Sequence, residues 1–110
     1  MTRQEILLYT DDEIAEEIAA LIKKRRIRLG ITQADMAKRT GISQPSYVNY
    51  EKTGQISFVR FLKIVRQLGI LGDIGFEILN AESLERLGAE EYVKAKKSSE
   101  RSRASKPSKE

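Results

Sequence analysis

The chain contains no cysteine and no histidine, and no apolar run in it is long enough to cross a bilayer. Each absence excludes something. Without cysteine there is neither a disulfide nor a thiolate metal site, and without histidine the commonest general base and metal ligand is missing. Enzymatic chemistry is poorly provisioned. A carboxylate dyad can be drawn from Asp11, Asp12, Glu16 and Glu17, but successive acids where a helix begins serve its dipole and its solvation. No metal and no other cofactor is expected. No stretch approaches the ~18 apolar residues of a membrane span, and no basic segment followed by an apolar one opens the chain, so a cytoplasmic protein without membrane association is expected. At 110 residues there is room for one domain with a modest core that needs no covalent staple.

The charge that is present is segregated, and the net +4 conceals it. Residues 1–22 carry −5, residues 23–66 carry +9, residues 67–93 carry −5 and residues 94–110 carry +5. Charged side chains that merely solvate helix faces usually interleave both signs. A long positive block between two negative ones instead suits a surface that faces a phosphate backbone.

That positive block contains the most informative stretch, residues 32–52, TQADMAKRTGISQPSYVNYEK. Thr32 with Asp35 three residues on forms a Thr-x-x-Asp capping box, so a helix starts at Gln33. Ala34, Met36, Ala37 and Thr40 are small or apolar and let this helix lie close to a neighbour, and Gly41 permits the left-handed turn that ends it. Ile42 supplies a buried plug. Ser43 is the next N-cap, and Pro45 falls in the first turn, where its missing N–H costs little. The second helix runs to about Lys52, with Tyr47 and Tyr50 on one face and Gln44, Pro45, Val48 and Asn49 on the other. That outer face is uncharged and mostly polar.

The segment resembles the helix-turn-helix of the Xre/Cro repressor family. The likeness is carried by Thr32-Gln33, Met36-Ala37, Gly41, Ile42-Ser43-Gln44 and Glu51, and beyond them by Arg26, Phe61, Leu62, Val65 and Leu68-Gly69, covering roughly residues 18–79. It implies an all-α chain: a compact five-helix lambda-repressor-like domain with a C-terminal extension and a disordered basic tail. The expected parts are an arm over residues 1–10, the DNA-binding domain over 11–79, a helical extension over 80–97 and the tail over 98–110. The implied partner is a double-stranded DNA operator, met in a bacterial cytoplasm at the nucleoid, with the second helix entering the major groove by its N-terminal end. Gln44 is then the best candidate to pair with an adenine edge, and Asn49 could do the same. Pro45 and Val48 would pack on a thymine methyl, while Ser43 and Ser46 are less specific. Thr32, Gln33, Lys38 and Lys52 are implied phosphate contacts. Gln33 should also buttress Gln44, and Arg26 with Glu51 should form a structural ion pair. One departure is visible: the family's glutamate, any residue, glycine here gains Thr53 ahead of Gly54.

The flanks are read from the residues. Ile6, Leu7 and Leu8 are too apolar to float freely, so something should cover them. Thr10 with Glu13 forms a capping box and opens a helix near Asp11, whose Ile14, Ile18, Leu21, Ile22 and Leu29 repeat at helical spacing and whose basic last turns end at Gly30. Ser57 caps a helix with a wide apolar stripe. Phe58, Phe61, Leu62, Ile64, Val65 and Leu68, with Leu21, Met36, Ile42, Tyr47 and Tyr50, should form the core. Residues 70–79 suit a short helix, although Ile74, Phe76 and Ile78 also alternate as a strand would. Their surplus of apolar surface marks a partner face, and a two-fold homodimer through Leu71, Ile74, Phe76, Ile78 and Leu79 is expected. Residues 83–97 read as a further helix broken at Gly88, and the end of the chain as a disordered basic tail. A single such domain, followed by a Leu-Gly-Ile-Leu run, an acidic stretch and a basic tail, is similar to HipB-like antitoxins that accompany HipA-like kinase toxins. A stand-alone or phage-type Xre repressor with no toxin partner is the alternative.

Overall fold

The fold is taken from a computed structural model, and residues 1–88 are described. The expectations for the end of the helical extension and for the basic tail lie outside these described residues. The described part is all-α, with no strand. Its helices are α1 (Arg3–Ile6), α2 (Asp11–Arg28), α3 (Gln33–Thr40), α4 (Gln44–Thr53), α5 (Phe58–Gln67), α6 (Leu71–Leu79) and α7 (Ala81–Arg86). This exceeds the expected five, because a short helix forms on either side of the expected domain. The chain packs as two units, Met1–Gly72 and a second beginning at Asp73.

Local chemistry explains where the helices of the first unit start. Thr10 accepts the Glu13 N–H at 3.1 Å while the Glu13 carboxylate accepts the Thr10 N–H at 2.9 Å, completing the expected box at the head of α2. Thr32, Ser43 and Ser57 each accept the N–H three residues on, at 3.0, 3.2 and 3.2 Å. At Thr32 only this half of the expected box is recorded. Each cap satisfies one of the free N–H groups of a first turn and contributes about 1 kcal/mol.

Against that frame α2 packs on α4, and α3 packs on both α4 and α5. Met36, Tyr47, Tyr50, Ile64, Val65 and Leu68 are completely enclosed, with Ala19, Ile22, Ile31, Ala37 and Ile42 around them. Two expected core members are absent: Leu21 is 63 % exposed and Phe58 66 %. The inward face of α2 is set by Ala19, Ile22 and Arg26, and Leu21, one residue before Ile22, lies about 100° around the helix from it. Phe58 is the first residue of α5, ahead of the turns that carry Ile64 and Val65. It stacks on half-buried Phe61 with ring centroids 6.4 Å apart, and with Ile18 and Ile56 the pair lines an apolar cleft of about 290 Å³.

The arm also differs from expectation. Ile6, Leu7 and Leu8 are exposed, and nothing among the described residues covers them. What orders the segment is a capping box, in which Thr2 and Glu5 exchange hydrogen bonds of 3.1 and 3.0 Å, and α1 buries no residue.

Residues 71–79 are helix, so the alternation of Ile74, Phe76 and Ile78 is not realised as a strand. Leu71 and Ile74 are half-buried, and Phe76, Ile78 and Leu79 are exposed. After α7, Gly88 takes a left-handed backbone with φ of 74°.

Candidate nucleic-acid interface

The turn between α3 and α4 is built by three residues. Gly41 adopts φ of 75° and donates its N–H to the Ala37 carbonyl at 2.9 Å, ending α3. Thr40 is buried, and its hydroxyl donates to the Met36 carbonyl at 2.8 Å while accepting the Ile42 N–H at 3.3 Å. Ile42, only 4 % exposed, fixes the entry to α4. A polar side chain buried at a turn needs these bonds, since an unsatisfied hydroxyl would cost about 1–3 kcal/mol.

Helix α4 is then held by one face. Tyr47 and Tyr50 are buried with rings 6.3 Å apart. Burial, with a smaller contribution from the nearby Glu51 charge, drives the Tyr50 phenol up to about 12. Burial likewise raises the Tyr47 phenol, helped by its bond to Glu51. With the tyrosines turned inward, Gln44, Pro45, Ser46 and Asn49 are exposed and Val48 is half-buried. Ser43 is exposed as well, with its oxygen engaged in capping. The Asn49 amide lies 3.5 Å from the Thr53 hydroxyl, which in turn donates to the Asn49 carbonyl at 2.9 Å. Asn49 is thus drawn toward the C-terminal end of α4, whereas the Gln44 amide stands at its beginning.

Below α4, Glu51 is the centre of a polar cluster that the two sequence-paired residues only partly describe. Arg26 approaches it two-pronged, Nε to Oε2 at 2.6 Å and Nη2 to Oε1 at 3.0 Å, with the side chains only 8 % and 3 % exposed. The third guanidinium nitrogen donates to the Ile31 carbonyl at 2.7 Å. Tyr47 donates its hydroxyl to the same carboxylate, and Gln33 donates its amide at 3.0 Å. Burial by itself would raise the Glu51 carboxyl, but hydrogen bonds from Arg26, Tyr47 and Gln33, together with the Arg26 charge, hold it below its ordinary value. Its bond to Glu51, against the opposing effect of burial, raises the Arg26 guanidinium in return.

Sequence reasoning placed Tyr47 in the core and Gln33 on a phosphate and against Gln44, and neither with Glu51. A signal for the first was available: a buried tyrosine hydroxyl seeks a partner, and Glu51 stands four residues on. Gln33 is half-buried, and its amide nitrogen is engaged by Glu51. Thr32, Lys38 and Lys52 are exposed.

The extra residue in the loop after α4 also finds its place here. Thr53 extends α4 by one position, and Gly54 follows with φ of 79°. A side chain on Gly54 would fall 2.6 Å from the Ala15 carbonyl carbon and 2.9 Å from the Glu16 nitrogen. The end of α4 therefore abuts the backbone of α2, an approach that only glycine permits.

The helix-turn-helix family model matches residues 22–72, the stretch that holds Arg26, the turn, α4 and α5. Over this segment the chain is similar to the helix-turn-helix family, and the match supports an Xre-type DNA-binding domain. No curated protein and no solved structure gives a match. The helix-turn-helix is a DNA-binding family and not an enzyme family, and it supports a DNA-binding transcription regulator. Among the described residues no helix is long and apolar enough to cross a membrane, and no acidic cluster could hold a metal ion.

Proposed function

We propose that this protein is a sequence-specific repressor that binds double-stranded operator DNA through α4. One observation carries the reading: α4 buries both tyrosines completely and leaves Gln44, Pro45, Ser46 and Asn49 exposed on the other side. Such a helix is rigidly seated and presents amides, which match the donor and acceptor edges of adenine in the major groove. Val48 and Pro45 offer apolar surface to a thymine methyl. Ser43 and Ser46 hydroxyls remain able to donate, and Thr32, Gln33, Lys38 and Lys52 engage the flanking phosphates, Gln33 through its main-chain N–H at the start of α3.

A repressor of this class reads two half-sites about one DNA turn apart, which calls for a two-fold dimer. The apolar side chains of α6, Leu71, Ile74, Phe76, Ile78 and Leu79, supply the pairing face. Within this function, we read the protein as the DNA-binding antitoxin of a HipA-type operon, the acidic stretch after residue 80 and the basic tail being the features that support it. The stand-alone repressor is the reading that remains if no kinase-like partner is found.

The test combines a shift assay on the DNA upstream of the protein's own coding region with co-purification from its native cells. Gln44→Ala should remove about 1–3 kcal/mol of preference for the operator and leave weak, salt-sensitive binding. Undiminished preference in that variant would take Gln44 out of the readout. A kinase-like protein that co-purifies and shifts the same DNA identifies the antitoxin, whereas a dimer that shifts it alone identifies the plain repressor.

A further inference from the structure

The outer face of α2, turned away from the core, carries a charge pattern that the fold uses only at Glu13, whose carboxylate accepts the Thr10 N–H. Glu13, Glu17, Lys24 and Arg28 are exposed and follow one another at three- and four-residue spacings with Ala20 and Leu21 between them, so they share one side of the helix. Leu21 is 63 % exposed and nearby Ile27 58 %. Glu17, Ala20, Leu21, Lys24 and Ile27 line a shallow cleft along this face.

Within α2 these charges are badly placed. At the neighbouring positions three and four residues away none of the four meets an opposite charge. Glu13 meets Glu17, and Lys24 meets Arg28, which are arrangements that weaken a helix. Among the described residues Glu17, Lys24 and Arg28 form no salt bridge; the pair Arg26–Glu51 lies on the opposite, buried side of α2. The helix dipole accounts for Glu13 in the first turn and Arg28 in the last, but it fades beyond a turn from each end. Glu17 and Lys24 lie deeper than that within Asp11–Arg28.

We propose that this face is a self-association seam that takes α2 of a second copy, antiparallel, about a two-fold axis passing level with Ala20 and Leu21. In that register Glu13 lies opposite the second copy's Arg28 and Glu17 opposite its Lys24, each pair formed twice, while Ala20 and Leu21 close the centre. The like-charged neighbours that weaken one helix become the opposed ends of two. A surface that is self-complementary in this way is what a two-fold contact requires. The seam is distinct from the α6 face, and a chain that bears both can join operator-bound dimers to one another.

The cysteine-free sequence makes disulfide trapping a direct test on the full-length protein. Helices packed about 8–10 Å apart bring residues at the axis within disulfide reach, while Glu17 stands about 10 Å along the helix from the level of Lys24. Leu21→Cys should therefore link rapidly under mild oxidation at low salt. Glu17→Cys and Lys24→Cys should link poorly alone and well when mixed. Adding Glu17→Lys to Leu21→Cys should slow linkage on the order of tenfold, and adding Lys24→Glu as well should restore it. All these positions are exposed, and circular dichroism verifies that each variant is folded. The proposal is overturned if Leu21→Cys links no faster than the exposed control Lys63→Cys, or if the mixed pair gains nothing. Loss of operator binding in Lys24→Glu, with no change in linkage, would give the basic half of the face to DNA and overturn it equally.

Discussion

At the scale of single residues, Glu51 decides more than any base-reading side chain. Three donors converge on one carboxylate: Arg26 from α2, Gln33 from α3 and Tyr47 from α4 itself. An exposed ion pair would contribute little, but this one is two-pronged and nearly closed to solvent, the setting in which loss of one member leaves an uncompensated charge. Arg26→Met should cost about 3–5 kcal/mol of unfolding free energy, read from urea titration. A loss comparable to that of an average surface mutation would show that water already screens the pair. The sign of the pH dependence follows from the lowered Glu51 carboxyl. Unfolded, Glu51 titrates at about 4.3, so its contribution is fully present above that value and is lost as pH falls through the lower folded value. Glu51→Gln removes the carboxylate while keeping much of its shape, and should flatten this part of the acid limb as well as lower stability near neutrality. An acid limb of unchanged steepness would assign the acid sensitivity to other carboxylates. Arg26 and Glu51 were legible as a pair because the family resemblance aligns them. Gln33 and Tyr47 were not, because their bonds depend on how three helices meet.

At the scale of elements, the ends of helices were the most legible features, because a cap is a local bargain between a hydroxyl and an N–H three residues away. Thr10, Thr32, Ser43 and Ser57 all begin the helices expected of them. The burial of whole side chains was less legible. Periodicity alone admitted Leu21 and Phe58 to the core, but it does not say where a neighbouring helix ends, and both are exposed. The close seating of α4 on α2 was hidden for the same reason, since the sequence showed only that Gly54 comes one residue later than in the family pattern. It differs from Gly41 in a way that can be measured. Both have positive φ, yet a side chain added at Gly41 meets nothing within 4 Å, while at Gly54 it runs into the α2 backbone. Gly41→Ala should therefore cost about 1–2 kcal/mol, the left-handed backbone penalty, and Gly54→Ala should add about 1–3 kcal/mol of overpacking to the same penalty. Thermal unfolding of the two variants side by side reads the difference. Equal losses would mean that the loop after α4 gives way freely and that the contact with Ala15 does not position α4.

For the molecule as a whole, the segregation of charge was legible from composition, and the positive block over residues 23–66 nearly coincides with the matched segment, residues 22–72. What composition did not convey is how the charges divide by task. Arg26 is buried in the Glu51 cluster, and Arg25 donates to the Leu68 carbonyl at 2.8 Å, tying the end of α2 to the end of α5. The Arg26 guanidinium is then committed to Glu51, a pair that cancels within the net +9, whereas Arg25 engages only its Nε and keeps its charge and its other donors. The end of the chain adds four more basic residues to those of the positive block, Arg101, Arg103, Lys106 and Lys109. Each basic residue that reaches a phosphate adds about 0.9 to the slope of log affinity against log salt. Deleting residues 98–110 should accordingly make binding to non-operator DNA weaker and its salt dependence shallower, by up to that amount for each of the four. Operator preference should survive, because the tail is separate in sequence from the α4 residues assigned to readout. Binding isotherms at several salt concentrations, on operator and on unrelated DNA, separate the two effects. An unchanged slope would show that the tail does not touch the phosphates, and its charge would then be free to meet an acidic partner.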